Sequence, residues 1–536
     1  MDAEGLDDRP PAVHRAGGYC RRVSRPGSAT LASCAEASRP SGGRRRPRRP
    51  ARSRPPPASS SARSAASDSH RPATPRRSSR RSTTSPRRRR GSSRRSAWTS
   101  RKDRIAGRLE PRSPRIATRT EAREPVAGPA TPWWVRPGLE IRDGRLTIAG
   151  RDAEAIAREY GTPAYAYDLD RFAENARTLQ SALDRTGLPT VVRFALKANR
   201  EPDVLAGLRA LGNLGIDACS PGEVRHAIAN GWRPDEISYT GTNVSERDLD
   251  VILETGVHVN LDAVSQVERF GRRAPGRTVG LRVDPGAGAG YLPGLAYSGE
   301  RRTKFGIGRD RLDDALEAAR RHRLTIDTVH FHAGSGWLGD EGLADFEAAL
   351  ERAAAMTREL QAAGCPIQEV NVGGGLGRPA RHDEPAIDVD RYADVLARHL
   401  GPLGVTIACE PGDFIAKDAA ILLGEVVTVE RRGATTFVGL DIGWNVNCAY
   451  FIYKFAQEIV LCRDAAAPRT QRVTIAGHIN EAGDLFAEDY PMPEVAEGDI
   501  VALLNAGGYL QAMSSTHCMR PMAAAVFLSR AGNRAG

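Results

Sequence analysis

Between Val191 and Glu410 the chain alternates short β-branched runs with longer stretches of helical periodicity, and it does so eight times. The strand candidates are Val191–Leu196, Leu214–Asp217, Ile237–Thr240, Val257–Asp262, Thr278–Asp284, Ile326–Phe331, Ile367–Val372 and Val405–Cys409. Helical patterns such as Asp310–Arg321 and Leu343–Ala363 separate them. Strands joined through helices pair in parallel, and eight such units are the number that closes a (β/α)8 barrel. An open doubly wound sheet is the alternative; eight consecutive units favour closure.

Charge divides the chain in two. Of its 536 residues, 77 are Lys or Arg and 65 Asp or Glu, for a net charge of +12. Residues 1–130 hold 33 of the basic and 10 of the acidic ones, so the remainder is net acidic. The first part is Arg, Ser, Pro and Ala, with runs such as Arg44–Arg49 and Arg87–Arg90. It cannot bury enough apolar surface to offset chain entropy, and is expected to be a disordered tail. Arg clusters neutralise phosphates, but monotony without interleaved aromatics favours a solvated tail over a nucleic-acid arm. Asp2, Glu4, Asp7 and Asp8 argue against a transit peptide. No run of 18 apolar residues suggests a membrane span. Cys219, Cys365, Cys409, Cys448, Cys462 and Cys518 are scattered without paired metal spacing, as in a reduced cytoplasmic protein.

The polar residues cluster at the C-terminal ends of the strand candidates, where a barrel collects its chemistry. Lys197 follows the first, in Phe194-Ala-Leu-Lys-Ala-Asn199, and Asp217 ends the second. His332 ends the sixth, in His332-Ala-Gly-Ser335. Gly373, Gly374 and Gly375 follow the seventh, and Glu410 follows the eighth. An amine at a strand end is positioned to form a Schiff base with an aldehyde cofactor. Three glycines let backbone N–H groups approach an anion, and Ser335 adds a hydroxyl. The imidazole of His332, next to small residues, has room to lie flat on a planar ring. Glu410 is placed to keep a pyridine nitrogen protonated. Singly, each reads as a tight turn or a structural hydrogen bond. Together they describe a site for pyridoxal 5'-phosphate.

From about Gly138 onward the sequence resembles the fold-type III pyridoxal-phosphate decarboxylases, the ornithine, arginine and diaminopimelate group, and within it the diaminopimelate enzymes most. The matching stretches include Tyr160–Asp168, Phe194–Asn199, Asp217–Glu223, Lys304–Ile307, His332–Ser335, Gly373–Gly375, Glu410–Gly412, Asn480–Asp484 and Asn505–Tyr509. The resemblance implies an alanine-racemase-like barrel over 166–415 and a β-rich domain over 416–536 joined by a lead-in over 136–165; composition leaves 1–135 as the tail. It implies a head-to-tail homodimer with shared active sites. By position, Lys197 would bond to the cofactor, His332 stack on its ring and Glu410 meet its nitrogen, with Asp217 nearby. Tyr509 and the Gly373–Gly375 loop would hold the phosphate. Tyr453 and Glu481 would reach substrate, Glu481 from the neighbouring subunit.

Three positions depart from the diaminopimelate pattern. Asp413 stands where arginine follows Glu-Pro-Gly, Ala449 where a second arginine is expected, and Asn480 where a proton-donating cysteine precedes Glu481. Losing two guanidinium groups removes a bidentate grip on a distal carboxylate and favours a distal cation or a neutral distal group. His517 or Cys518, in Thr516-His-Cys518, are alternative proton donors, as are Lys197 and water. The expected activity is α-decarboxylation of an amino acid, free or carrier-tethered. The rivals are a racemase and a non-catalytic regulatory homologue.

Overall fold

The structure, a computed structural model, describes residues 131–292, 297–299, 302–453 and 456–531. Of the tail anticipated over residues 1–135, residues 1–130 lie outside them, and Trp134 near its end is instead buried in a small core. Eight parallel strands form a closed barrel: β1 (Thr190–Ala195), β2 (Leu214–Ala218), β3 (Ile237–Gly241), β4 (His258–Leu261), β5 (Thr278–Asp284), β6 (Thr325–His330), β7 (Glu369–Asn371) and β8 (Thr406–Cys409). Closure comes from β8 pairing β1, with Ala408 opposite Val191, and from β4 pairing β5, with Leu261 opposite Leu281. All eight anticipated strands are present. β7 is shorter than its apolar run, yet Gln368 and Val372 still donate across to Asp327 and Ala408, so pairing outlasts regular geometry. A two-residue strand, Ile307–Gly308, adds beside β5 and has no periodicity a sequence could reveal.

The helices form because their apolar residues recur on one face. Leu169–Asp184 starts at Asp168, whose carboxylate accepts from Arg171 N–H at 3.3 Å, and buries Phe172, Ala176, Leu179 and Leu183 against the barrel. Among the described residues no helix is long and apolar enough to cross a membrane.

The second layer is β-rich. Its spine is Ala420–Arg432, which pairs with Thr435–Leu440, with Ile500–Leu503 and with Ala164–Asp168. That last strand precedes the barrel, so segments from both sides of the barrel in sequence complete one sheet, and Ala524–Leu528 pairs alongside it. Alternation along the spine serves two cores: Leu422 enters the main one, while Ile421 and Leu423 enter a smaller one with Trp134, Leu146 and Ile156.

Barrel and sheet meet at the end of β1. Asn199 Nδ2 donates to Gly507 C=O at 3.0 Å, and Tyr509 N–H donates to Ala198 C=O at 2.7 Å. Gly507 is packed so closely that a Cβ there would stand 1.9 Å from Ala416 O. Gly507→Ala should therefore destabilise the protein by about 1–3 kcal/mol, read as a lower Tm; an unchanged Tm would show the junction to be loose.

Asp418 anchors the same region. Its carboxylate accepts from Arg171 Nη2 at 2.6 Å and Asn175 Nδ2 at 2.7 Å, with Arg136 and Arg378 each 3.9 Å away. Burial pushes its acidity the wrong way, but the arginines hold it far below the usual carboxylate range. Asp418→Asn leaves buried guanidinium groups without their counterion and should cost about 3–5 kcal/mol. Because the folded-state value is depressed, this stabilisation is complete above the ordinary carboxylate range and fades as pH falls below it. Acid titration of Tm in wild type and variant checks the sign: the gap between them should narrow in acid.

Candidate active site

A cavity of about 180 Å³ opens at the C-terminal ends of the strands. Lys197, His332, Ser335, Gly374, Gly375, Glu410, Asp413, Tyr453 and Tyr509 line it, so most of the residues singled out in the sequence converge there. Tyr291, Tyr297, Gly412 and Met513 complete the wall and were not anticipated. A larger cavity, about 740 Å³, lies at the opposite barrel mouth. Arg193 in its wall is paired with Glu369, and His258 Nε2 lies 2.8 Å from Asp327 Oδ1. Strand N-termini carry stability rather than chemistry in this architecture.

Lys197 leaves the barrel where β1 ends and its ammonium faces the cavity. Nζ lies 3.5 Å from Asp217 Oδ2 and 3.6 Å from Cys219 Sγ. Burial alone would lower its basicity, but Cys219, Asp217, Tyr509 and Glu410 outweigh that and raise it. Burial pushes the Cys219 thiol up to about 12, so it is neutral near pH 7, and the carboxylates carry the effect. Asp217 is itself pushed upward, by burial and by Glu410. The rest of its motif is local structure: Ser220 caps helix Pro221–Ala229, and Glu223 accepts from Cys219 N–H at 2.6 Å.

Glu410 sits deeper. Oε1 accepts from Asn371 Nδ2 at 2.7 Å, and Oε2 lies 3.1 Å from His330 Nε2. Burial would raise its pKa, but His330 and Lys197 hold it below the usual range, so it is ionised at neutral pH. His330 was missed in the sequence although it lies two residues before His332, the spacing that returns a strand to the same face. His332 is held neutral, chiefly by burial and then by Lys197 and Arg282. Its Nδ1 accepts from Gly374 N–H at 3.2 Å, which leaves the proton on Nε2, and Tyr297 packs edge-on with centroids 4.5 Å apart.

The triple glycine differs from expectation in one respect. Gly373 N–H is taken by Asn371 Oδ1 at 3.0 Å and Gly374 N–H by His332, so two of the three donors serve the protein itself. Close approach still demands glycine: a Cβ at Gly374 would meet Glu410 O at 2.3 Å, and Gly375 has φ +115. Trp337 N–H donates to Gly375 C=O at 3.0 Å, lacing this loop to the one carrying Ser335. Gly412 faces Tyr509, whose hydroxyl would be 2.5 Å from an added Cβ, and Tyr509 itself adopts φ +67.

Asn480, Glu481, His517 and Cys518 are not brought to this cavity within one chain. Asn480, Glu481 and Cys518 are exposed. His517 packs on Trp444, centroids 4.8 Å apart, with Nε2 3.9 Å from Glu481 Oε1. Phe451 is 36% exposed beside Trp444, and Met519 is 94% exposed.

A closed parallel barrel with a lysine, a carboxylate and a glycine cradle at one mouth, completed by a β-rich domain, defines a class of cofactor-dependent enzymes. Residues 169–417 match the family described as pyridoxal-dependent decarboxylase, pyridoxal binding domain. The diaminopimelate decarboxylase of Methanothermobacter thermautotrophicus is 36% identical over 410 residues, covering 73% of this chain and 92% of that protein. The Escherichia coli diaminopimelate decarboxylase is 32% identical over 390 residues, covering 68% and 89%. The crystal structure of diaminopimelate decarboxylase from Helicobacter pylori complexed with L-lysine superposes with a TM-score of 0.64 at 25% identity, covering 70% of this chain and 93% of that one. The chain belongs to the pyridoxal-dependent decarboxylase family.

Proposed function

We propose that the protein is a pyridoxal-phosphate-dependent amino-acid α-decarboxylase, and that Lys197 bonds to the cofactor. The observation that carries this is the placement of Lys197, His332, Glu410 and the Gly374–Gly375 bend around one cavity. The residues suit the group: Asp217 Oδ1 is buried without a hydrogen-bond partner, and the glycine bend leaves no room for a side chain. When bound, pyridoxal phosphate supplies a ring that accepts the electron pair left as carbon dioxide departs. Glu410, held ionised, keeps that ring's nitrogen protonated. The neutral His332 imidazole supports the ring face without adding charge. Gly375, Ser335 and Tyr509 hold the phosphate. Asn480 is a poor acid, so the proton that replaces the carboxylate comes from Lys197 or from water, with His517 and Cys518 the alternatives if a second chain brings them in.

A homodimer is part of this reading. Glu481 is exposed beside a surface that includes Phe451 and Met519, which suits a residue serving a partner's cavity. The experiment is carbon dioxide release from a panel of amino acids, meso-diaminopimelate, lysine and ornithine included, with chiral analysis of what remains. We expect release without racemisation, and slow turnover of diaminopimelate because Asp413 and the fully buried Ala449 offer no guanidinium. Racemisation without release would overturn the reaction assignment. The raised basicity of Lys197 makes a further prediction. Uptake of pyridoxal phosphate by apoprotein should accelerate roughly tenfold per pH unit through neutrality, since only the unprotonated amine attacks. A flat profile would contradict it.

A further inference from the structure

Asp413 has a partner that the sequence comparison hides. It opens the short helix Asp413–Ala416, and Lys417 follows one turn later on the same face. Lys417 Nζ lies 3.4 Å from Asp413 Oδ2 and 3.4 Å from the Tyr291 hydroxyl, which itself donates to Asp413 Oδ2 at 2.5 Å. Both side chains are sheltered, 3% exposed for Lys417 and 13% for Asp413. Asp413 lines the cavity and Lys417 stands behind it.

We propose that Asp413 and Lys417 form a self-neutralised pair that makes the far end of the cavity select amino acids with an uncharged polar distal group, the carboxamide class. The inference rests on the decarboxylase reading above and names its substrate class. The pair carries no net charge. A distal carboxylate would meet Asp413 before Lys417 and leave an excess negative charge in a sheltered place. A distal ammonium would compete with Lys417 and Tyr291 for one carboxylate and leave an excess positive charge. Either imbalance is costly away from water. A zwitterionic end, as in diaminopimelate, meets Asp413 first, and among the described residues the wall offers its carboxylate no guanidinium. An amide donates to Asp413 and accepts from the Tyr453 hydroxyl, because the Tyr291 proton already goes to Asp413; the two tyrosine rings stand 6.1 Å apart. No charge is left over.

The test uses three amines of equal length, the decarboxylation products of homoglutamine, α-aminoadipate and lysine: δ-aminovaleramide, δ-aminovalerate and cadaverine. Their binding to cofactor-loaded protein is read from the shift in its visible absorbance, without turnover. Wild type should bind the amide roughly tenfold or more tighter than either charged amine. Asp413→Asn removes the negative member of the pair and should move δ-aminovalerate to first place. Lys417→Met exposes a lone carboxylate and should favour cadaverine. The double variant Asp413→Asn/Lys417→Met is neutral again and should restore the amide. It also decides the matter if a single variant fails to fold. Equal or tighter binding of a charged amine by wild type, or of diaminopimelate over homoglutamine, overturns the proposal, as does a ranking that no variant moves. If no amine shifts the band and no amino acid releases carbon dioxide, the decarboxylase reading itself has failed. If both occur with a ranking indifferent to charge, only this inference has.

Discussion

Lys197→Ala is expected to lower carbon dioxide release by roughly a thousandfold or more and to remove the visible absorbance of the cofactor-loaded protein. The size of the effect follows from position. Within the cavity Lys197 is the only amine on the wall among the described residues, and the two loops facing it are fixed to each other through Trp337 and Gly375. Alanine removes the amine while leaving the turn Lys197-Ala-Asn199 anchored through Asn199 to Gly507. The fold should persist, as circular dichroism and Tm will report. Activity within roughly tenfold of wild type, with the fold intact, would place the chemistry elsewhere.

Glu410→Gln is expected to cost roughly a hundredfold to a thousandfold in kcat with little change in KM, the scale of removing one preorganised charge from an enclosed site. Glutamine keeps the shape, and its carbonyl can still accept from Asn371 Nδ2, now 2.7 Å from Oε1. Its amide then faces His330 Nε2, which must act as acceptor and carry its proton on Nδ1, an atom without a partner at present. The charge is what disappears. Since Glu410 is ionised well below neutrality, its loss should depress the rate throughout the neutral range rather than shift one limb of the pH profile. Near-normal kcat would mean that the carboxylate serves only the buried network with His330 and Asn371.

The barrel was legible because each strand is a short, mostly apolar run closed by a polar residue or a glycine, and that pattern survives without tertiary information. The site was legible where residues sit at those closures: Lys197, His332, Glu410 and the glycines. What stayed hidden depends on geometry beyond local periodicity. Tyr291 and Tyr297 belong to a Gly-rich segment after β5 without helical or strand periodicity, and Ala289 just before them is held to the β6 loop by Ser335 N–H donating to its carbonyl at 3.2 Å. Met513 arrives from the other layer. Asp413 was read only as a replaced arginine, because Lys417 becomes its partner only when Asp413–Ala416 turns as a helix. Nor does a triple glycine announce that Gly373 and Gly374 spend their N–H groups on Asn371 and His332.

The account stands on one covalent bond between Lys197 and a cofactor held in this cavity. Borohydride reduction of the protein loaded with pyridoxal phosphate, followed by peptide mapping, tests it most directly. The predicted result is a single pyridoxyl adduct on the peptide containing Lys197, absent from Lys197→Ala. No adduct, or one on another lysine, would contradict it.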